Sequence, residues 1–295
     1  NVAIGVGALD TQNFTTATNA YNVAIGYDAG TAVSTATYCT IVGGQAGDAI
    51  TTGANNTIMG GKAGSGLTTG SNNVAFGYNA LNADDVGSKS TAIGAQALLT
   101  QNYSTATDSH NTAVGYHSGL YLTTGTHNTL IGSEAGDALT TGTYNVAIGQ
   151  DALSTEDAHG LNVAVGALAL KTQNAGADAY NVGVGYRAGT AITTGLYNTI
   201  VGGDAGKAIT TGGRNVAIGL QALDANTTGS TNIGIGVNAL GDLNPATATN
   251  MYNVAVGDAA GANVTTGLGN TLVGGLAGDA LTDADFNVAV GKNAL

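Results

Sequence analysis

Asn1-Val2-Ala3-Ile4-Gly5 opens the chain, and the same five residues return as Asn22-Val23-Ala24-Ile25-Gly26, Asn145-Val146-Ala147-Ile148-Gly149 and Asn215-Val216-Ala217-Ile218-Gly219, with near copies between them. Seventeen copies begin at Asn1, Asn22, Cys39, Asn56, Asn73, Ser90, Asn111, Asn128, Asn145, Asn162, Asn181, Asn198, Asn215, Asn232, Asn253, Asn270 and Asn287. Twelve of the sixteen steps are 17 residues long, and the others are 21, 21, 19 and 21. A fixed short period with β-branched content builds stacked coils, each too small to bury its apolar face alone. The fold class that follows is all-β, a parallel β-solenoid of about 17 coils. At about 4.8 Å per coil it would form a rod roughly 80 Å long. The repeat runs unbroken, so residues 1–295 are expected to form a single elongated repeat domain.

Within a coil, the motif Asn is position 0. Position 3 is apolar throughout and position 1 is Val, Ile or Thr; the two share a face of an extended segment, which marks them as core. Position 2, mostly Ala or Gly with Ile41, Ile58, Leu130, Ile200 and Leu272 as exceptions, is then expected on a second close-packed surface. Position 4 is always Gly, where the chain turns with positive φ or passes close to a neighbouring coil. Position 8 is either Gly with an apolar residue at position 11, as in Gly30 and Val33, or Leu with a polar residue there, as in Leu81 and Asp84. That exchange reads as volume compensation in one core; Leu240 with Leu243 breaks it. The Asn residues, among them Asn1, Asn22, Asn56, Asn73, Asn111, Asn128 and Asn145, stack at the strand spacing into a structural amide ladder at a turn, with Cys39 and Ser90 as small polar substitutes.

The long steps recur after Leu-type coils and define super-repeats of about four coils, with longer loops near 10–21, 99–110, 171–180 and 241–252. These loops are the candidate contact sites, through Asn13, Asn102, Asn174 and Asn244 together with Tyr27, Tyr116 and Tyr186 in the coils that follow. Aromatic faces stack on sugar rings while amides bond hydroxyls, so a surface glycan is the ligand class these residues suit; packing of the longer loops onto the rod is the alternative.

Composition excludes several classes. With 7 Lys or Arg against 19 Asp or Glu, and a formal charge of −12, the chain is not built to bind nucleic acid. No apolar run approaches the roughly 18 residues of a membrane span. Cys39 is the only thiol, so no internal disulfide forms. The four His, at His110, His117, His127 and His159, are read as falling at different coil positions, and Asp84-Asp85 and Asp283/Asp285 as solvated turn residues. No catalytic constellation, cofactor site or metal site is expected, and the chain is read as a non-enzyme. Opening and closing within the repeat, it reads as a section of a longer fibre.

The pattern Asn-Val-Ala-Ile-Gly-x-x-Ala, alternating with Asn-Thr-Ile-Val-Gly-x-x-Ala, resembles the left-handed β-roll repeats of trimeric autotransporter adhesin heads. With its Thr-Thr-Gly turns, as at Thr51-Thr52-Gly53, the whole chain is still more similar to the repeat regions of phage tail fibres and related bacterial surface proteins with tail-fibre domains. This chain departs from the adhesin heads in its longer coils. The resemblance implies left-handed coiling, a homotrimer or filament, an extracellular, cell-surface or virion location, and attachment to a host receptor or glycan. An ice-binding solenoid carrying flat Thr arrays and a polysaccharide-processing solenoid enzyme are the alternatives from other classes.

Overall fold

The computed structural model describes all 295 residues. It is a parallel β-solenoid whose strands are the motif residues, three per coil, and the chain divides into two compact units, Asn1–Asn145 and Val146–Leu295. In the first unit eight strands, from Val2–Ile4 to Thr129–Ile131, pair in parallel, each with the strand of the next coil. In the second unit nine strands, from Val146–Ile148 to Val288–Val290, do the same. Register is strict: Val2 faces Val23 and Val163 faces Val182, although the intervening steps are 21 and 19 residues. The extra residues of a long step therefore leave the ladder in phase and are taken up in the loop before it, as near residues 107–108, where Thr107–Asp108 pairs with Gly87–Ser88. No helix is long and apolar enough to cross a membrane.

The strands end where Gly is unavoidable. Position-4 Gly residues have φ near +130°, a region closed to side-chain-bearing residues, and a Cβ at Gly185 would lie 2.6 Å from the Gly202 carbonyl oxygen of the next coil. Beyond Gly the chain turns at position 6 and again at position 8, both with φ near +55°, whether the residue is Asp28, Gln45, Leu81 or Gly30. Backbone bonds between coils hold these left-handed residues: Asp28 N donates to Val6 O and Gln45 N to Tyr27 O, each at 2.8 Å.

The strand faces are the reverse of the expectation. Position 2 is the core: Ala24, Ile41, Ala75, Leu130, Ala164 and Ile200 are fully buried. Positions 1 and 3 point outward; Ile25, Ile93 and Ile131 are each 37% exposed and Phe76 is 50% exposed. Alternation sets which residues share a face but leaves open which face is inside. The thin coil settles it, because the interior is filled from the opposite wall by Leu at position 8 or by Val, Ile or Leu at position 11, so that a small residue at position 2 often suffices.

The compensation runs between coils as well as within them. A Cβ at Gly119 would meet Leu130 Cδ1 of the next coil at 2.8 Å, and one at Gly183 would meet Leu170 Cγ of the preceding coil at 2.8 Å. Position 8 of one coil and position 2 of the next thus compete for one space. Each Leu at position 8 that has a following coil is accordingly followed by Ala or Gly at position 2: Leu9 by Ala24, Leu98 by Ala113, Leu170 by Gly183, Leu223 by Gly234. Where position 8 is Gly30 or Gly119, the next coil supplies Ile41 or Leu130.

Candidate functional site

Three surfaces or networks carry chemistry beyond the apolar core. The first is the outward strand face. In both units its residues are Val, Ile, Thr, Met or Phe and never charged, and they repeat in register from coil to coil. An ordinary solvent-facing sheet alternates apolar with polar residues; this one carries mostly apolar residues, with Thr in seven coils and no charge, on its outer side as well.

The second surface is the row of residues immediately before each motif. All of them from Tyr21 to Phe286 take left-handed φ, and all but Gly269 carry a side chain. Tyr21, Tyr38, Tyr180 and Tyr197 in this row are about half exposed or more. At the coil spacing they stack. Ring centroids are 5.3 Å apart for Tyr21 and Tyr38, and 5.7 Å apart for Tyr180 and Tyr197, with Arg214 5.9 Å from the Tyr197 ring centre. His110 and His127 also belong to this row, correcting the expectation that the four His fall at different positions; their rings lie 5.0 Å apart, and His127 stacks on Tyr144 at 4.8 Å.

The long-loop residues Asn13, Asn102, Asn174 and Asn244 are all exposed. Each is pinned by its amide to the next coil, Asn102 N donating to Thr123 O at 2.9 Å and Asn174 N to Thr193 O at 3.0 Å. Tyr27, Tyr116 and Tyr186 are exposed too, but they follow the strand whereas the loops precede it, so each strand lies between a loop Asn and the Tyr paired with it by sequence. Tyr116 stacks on His117 and Tyr186 lies under the Arg187 guanidinium. Tyr103, within one long loop, does what the packing alternative describes: it is buried, and its hydroxyl donates to Gly125 O at 2.8 Å.

The third is a buried polar network. Every internal motif Asn from Asn22 to Asn270 is buried, and these side chains link neighbouring coils while closing their own. Asn198 N donates to Asn181 Oδ1 at 2.7 Å, Asn198 Oδ1 accepts from Asn215 N at 3.0 Å, and Asn198 Nδ2 donates to Gly212 O at 3.0 Å. In Leu-type coils the polar residue at position 11 joins this network. Asp84, read from the sequence as solvated, is fully buried. Its Oδ1 accepts from Gly87 N at 2.9 Å, its Oδ2 from Gln101 Nε2 at 2.7 Å, and Gln101 Oε1 in turn accepts from Asn111 Nδ2 at 2.9 Å. The sequence signal was its alignment with Gln101 and Gln173 at one coil position.

Burial pushes the Asp84 carboxyl up from 3.8 to about 6, against the hydrogen bonds from Gln101 and Gly87. An acid whose folded pKa is raised binds its proton more tightly when folded, so stability is greatest below the unfolded value and falls as pH rises through the folded one. Between about pH 3 and pH 7 the chain is expected to lose about 3 kcal/mol from this group alone. Urea melts across that window test this, and Asp84→Asn should flatten the dependence.

No family model matches the chain, and no curated protein matches it.

Proposed function

We propose that the chain is a structural and adhesive segment of a fibre, in which three copies associate through their outward strand faces. The observation that carries this reading is the uncharged, largely apolar outer face: a row of Val, Ile and Thr at positions 1 and 3 left partly exposed on each unit, without a charge to oppose close approach. A partner for such a face must offer a flat apolar stripe with the same coil spacing, and a second copy of the same solenoid does so automatically. The chain-to-chain surface is therefore positions 1 and 3 and not, as the sequence suggested, position 2. Three as the number of copies, the tail-fibre or surface-adhesin setting and the extracellular, cell-surface or virion location rest on the resemblance of the repeat. The exposed loop residues Asn13, Asn102, Asn174 and Asn244 remain available in such an assembly to meet a glycan or receptor as repeated weak sites.

The ice-binding alternative is weakened by the Thr-Thr turns themselves. The first Thr of six of the seven pairs turns its hydroxyl to the backbone of the next coil, Thr51 Oγ1 donating to Thr68 O at 3.1 Å and Thr123 Oγ1 to Thr140 O at 3.0 Å. The hydroxyls of these first Thr are thereby withdrawn from a water-facing array.

Sedimentation equilibrium tests the assembly. The expected mass is three times the 28.7 kDa of one chain, and Val184→Asp with Val201→Asp should return folded single chains, since like charges would be buried against one another. A wild-type monomer would reject the assembly, and a dimer would reject the number of copies.

A further inference from the structure

We propose that the turn Glu156-Asp157-Ala158-His159 is a binding site for a divalent transition cation of the Zn2+ class. In the Leu-type coils that begin at Asn73 and Asn215 the residue at position 11 turns inward and caps the amide three residues on. Asp84 Oδ1 accepts from Gly87 N, and Asn226 Oδ1 from Gly229 N, both at 2.9 Å. Glu156 keeps that role, its Oε1 accepting from His159 N at 3.2 Å. The fold needs only an amide at the third residue, and two of these coils supply it with Gly. This coil places an imidazole there, with a second carboxylate, Asp157, at the position that Asp85 takes after Asp84.

The geometry suits a metal. His159 Nδ1 lies 3.4 Å from Glu156 Oε1, and one donor atom from each of Glu156, Asp157 and His159 falls within 4.8 Å of the others. Ligands about 2.0–2.1 Å from a tetrahedral ion stand roughly 3.3–3.4 Å apart, so the Glu–His edge already has the required length. Glu156 is fully buried, with the His159 imidazole at ion-pair distance. Its other oxygen accepts from Gln173 Nε2 of the next coil at 3.3 Å, the kind of outer contact that orients a ligating carboxylate. Asp157 is exposed and offers its carboxylate within 4.8 Å of the other two donors. Two carboxylates and one imidazole favour a cation of borderline hardness, with water completing the coordination. The ion would brace a turn that lacks the Thr-Thr-Gly sequence found in most Gly-type coils.

Titration calorimetry of the full chain with ZnCl2, alongside thermal melts with Zn2+ or EDTA, is the test. The wild type is expected to bind one ion per chain at this turn and to melt at a higher temperature with Zn2+. His159→Gly installs the residue that Gly87 and Gly229 supply at the equivalent place, so the cap survives while the ligand is lost; affinity should fall on the order of ten-fold or more. Asp157→Thr, matching Thr227, changes only an exposed side chain and should also weaken binding, which provides a readout should His159→Gly fold poorly. Absence of binding by the wild type overturns the proposal. So does unchanged binding in both variants, whether on the His110–His127 pair or elsewhere.

Discussion

Gly185→Ala is expected to destabilise the second unit by at least about 3 kcal/mol, among the largest effects of any single methyl group in the chain. Two penalties act together. The residue sits at φ +133°, which an alanine tolerates only with strain, and the added Cβ would lie 2.6 Å from the Gly202 oxygen and 2.7 Å from its carbonyl carbon. Neither atom can step aside, because the Gly202 backbone is fixed in turn by its neighbours, Gly202 N donating to Val184 O at 2.8 Å. In a solenoid each coil depends on its neighbours, so the damage is expected to spread along the unit as a local unravelling. Gly44→Ala is the matched control. That glycine is not at positive φ and an added Cβ would meet nothing within 4 Å, so stability should change by less than about 1 kcal/mol. Denaturant melts followed by circular dichroism compare the two, and equal stabilities would contradict the close-approach account.

Asn198→Ala should rank beside it. The substitution removes the acceptor of the Asn215 amide and the donor to the Gly212 carbonyl, both beside the core, and leaves a void where the amide stood. Each orphaned partner costs about 1–3 kcal/mol, so a loss of roughly 2–6 kcal/mol is expected. Asn198→Ser should be milder, because a small polar group at this coil position can still meet the carbonyl that Asn198 bonds, as Cys39 Sγ donates to Gly53 O at 3.3 Å. If alanine and serine at this site were both tolerated without measurable loss, the ladder would be incidental to stability.

The period of the motif made the architecture legible, because strict recurrence of Asn, β-branched residues and Gly admits few foldings other than stacked coils. The exchange between Gly and Leu at position 8 was legible for the same reason: both solutions recur often enough to compare. The inside and outside of the strand were not legible. Val23 and Ile25 look like core residues and Ala24 does not, yet hydrophobicity marks what leaves water, and a surface covered by another chain draws on the same residues as a core. Left-handed backbone at Leu81, Asp28 and Tyr38 was also hidden, since sequence flags positive φ through Gly or Asn and here bonds from neighbouring coils impose it. The burial of Asp84 escaped because aspartate beside another aspartate reads as a solvated turn; only its alignment with Gln101 and Glu156 reveals an inward position. The loop residues Asn13, Asn102, Asn174 and Asn244 were visible as interruptions of the period, but their separation from Tyr27, Tyr116 and Tyr186 by the strand follows from the path of the coil and not from proximity in sequence.

Which strand residues face the chain's own interior, and whether the outward ones are covered by another copy, decides whether the proposed fibre assembly holds. Thiol labelling of Ile93→Cys in a Cys39→Ser background tests this directly, with Ala92→Cys as the core reference. Ile93 is 37% exposed on the single chain and Ala92 fully buried. The thiol at 93 is expected to be protected in the assembled protein and to react rapidly once Val184→Asp and Val201→Asp have separated the chains, while the thiol at 92 stays unreactive in both. A thiol at 93 that reacts at the rate of a free cysteine in the wild-type assembly would contradict an outward face covered by another copy.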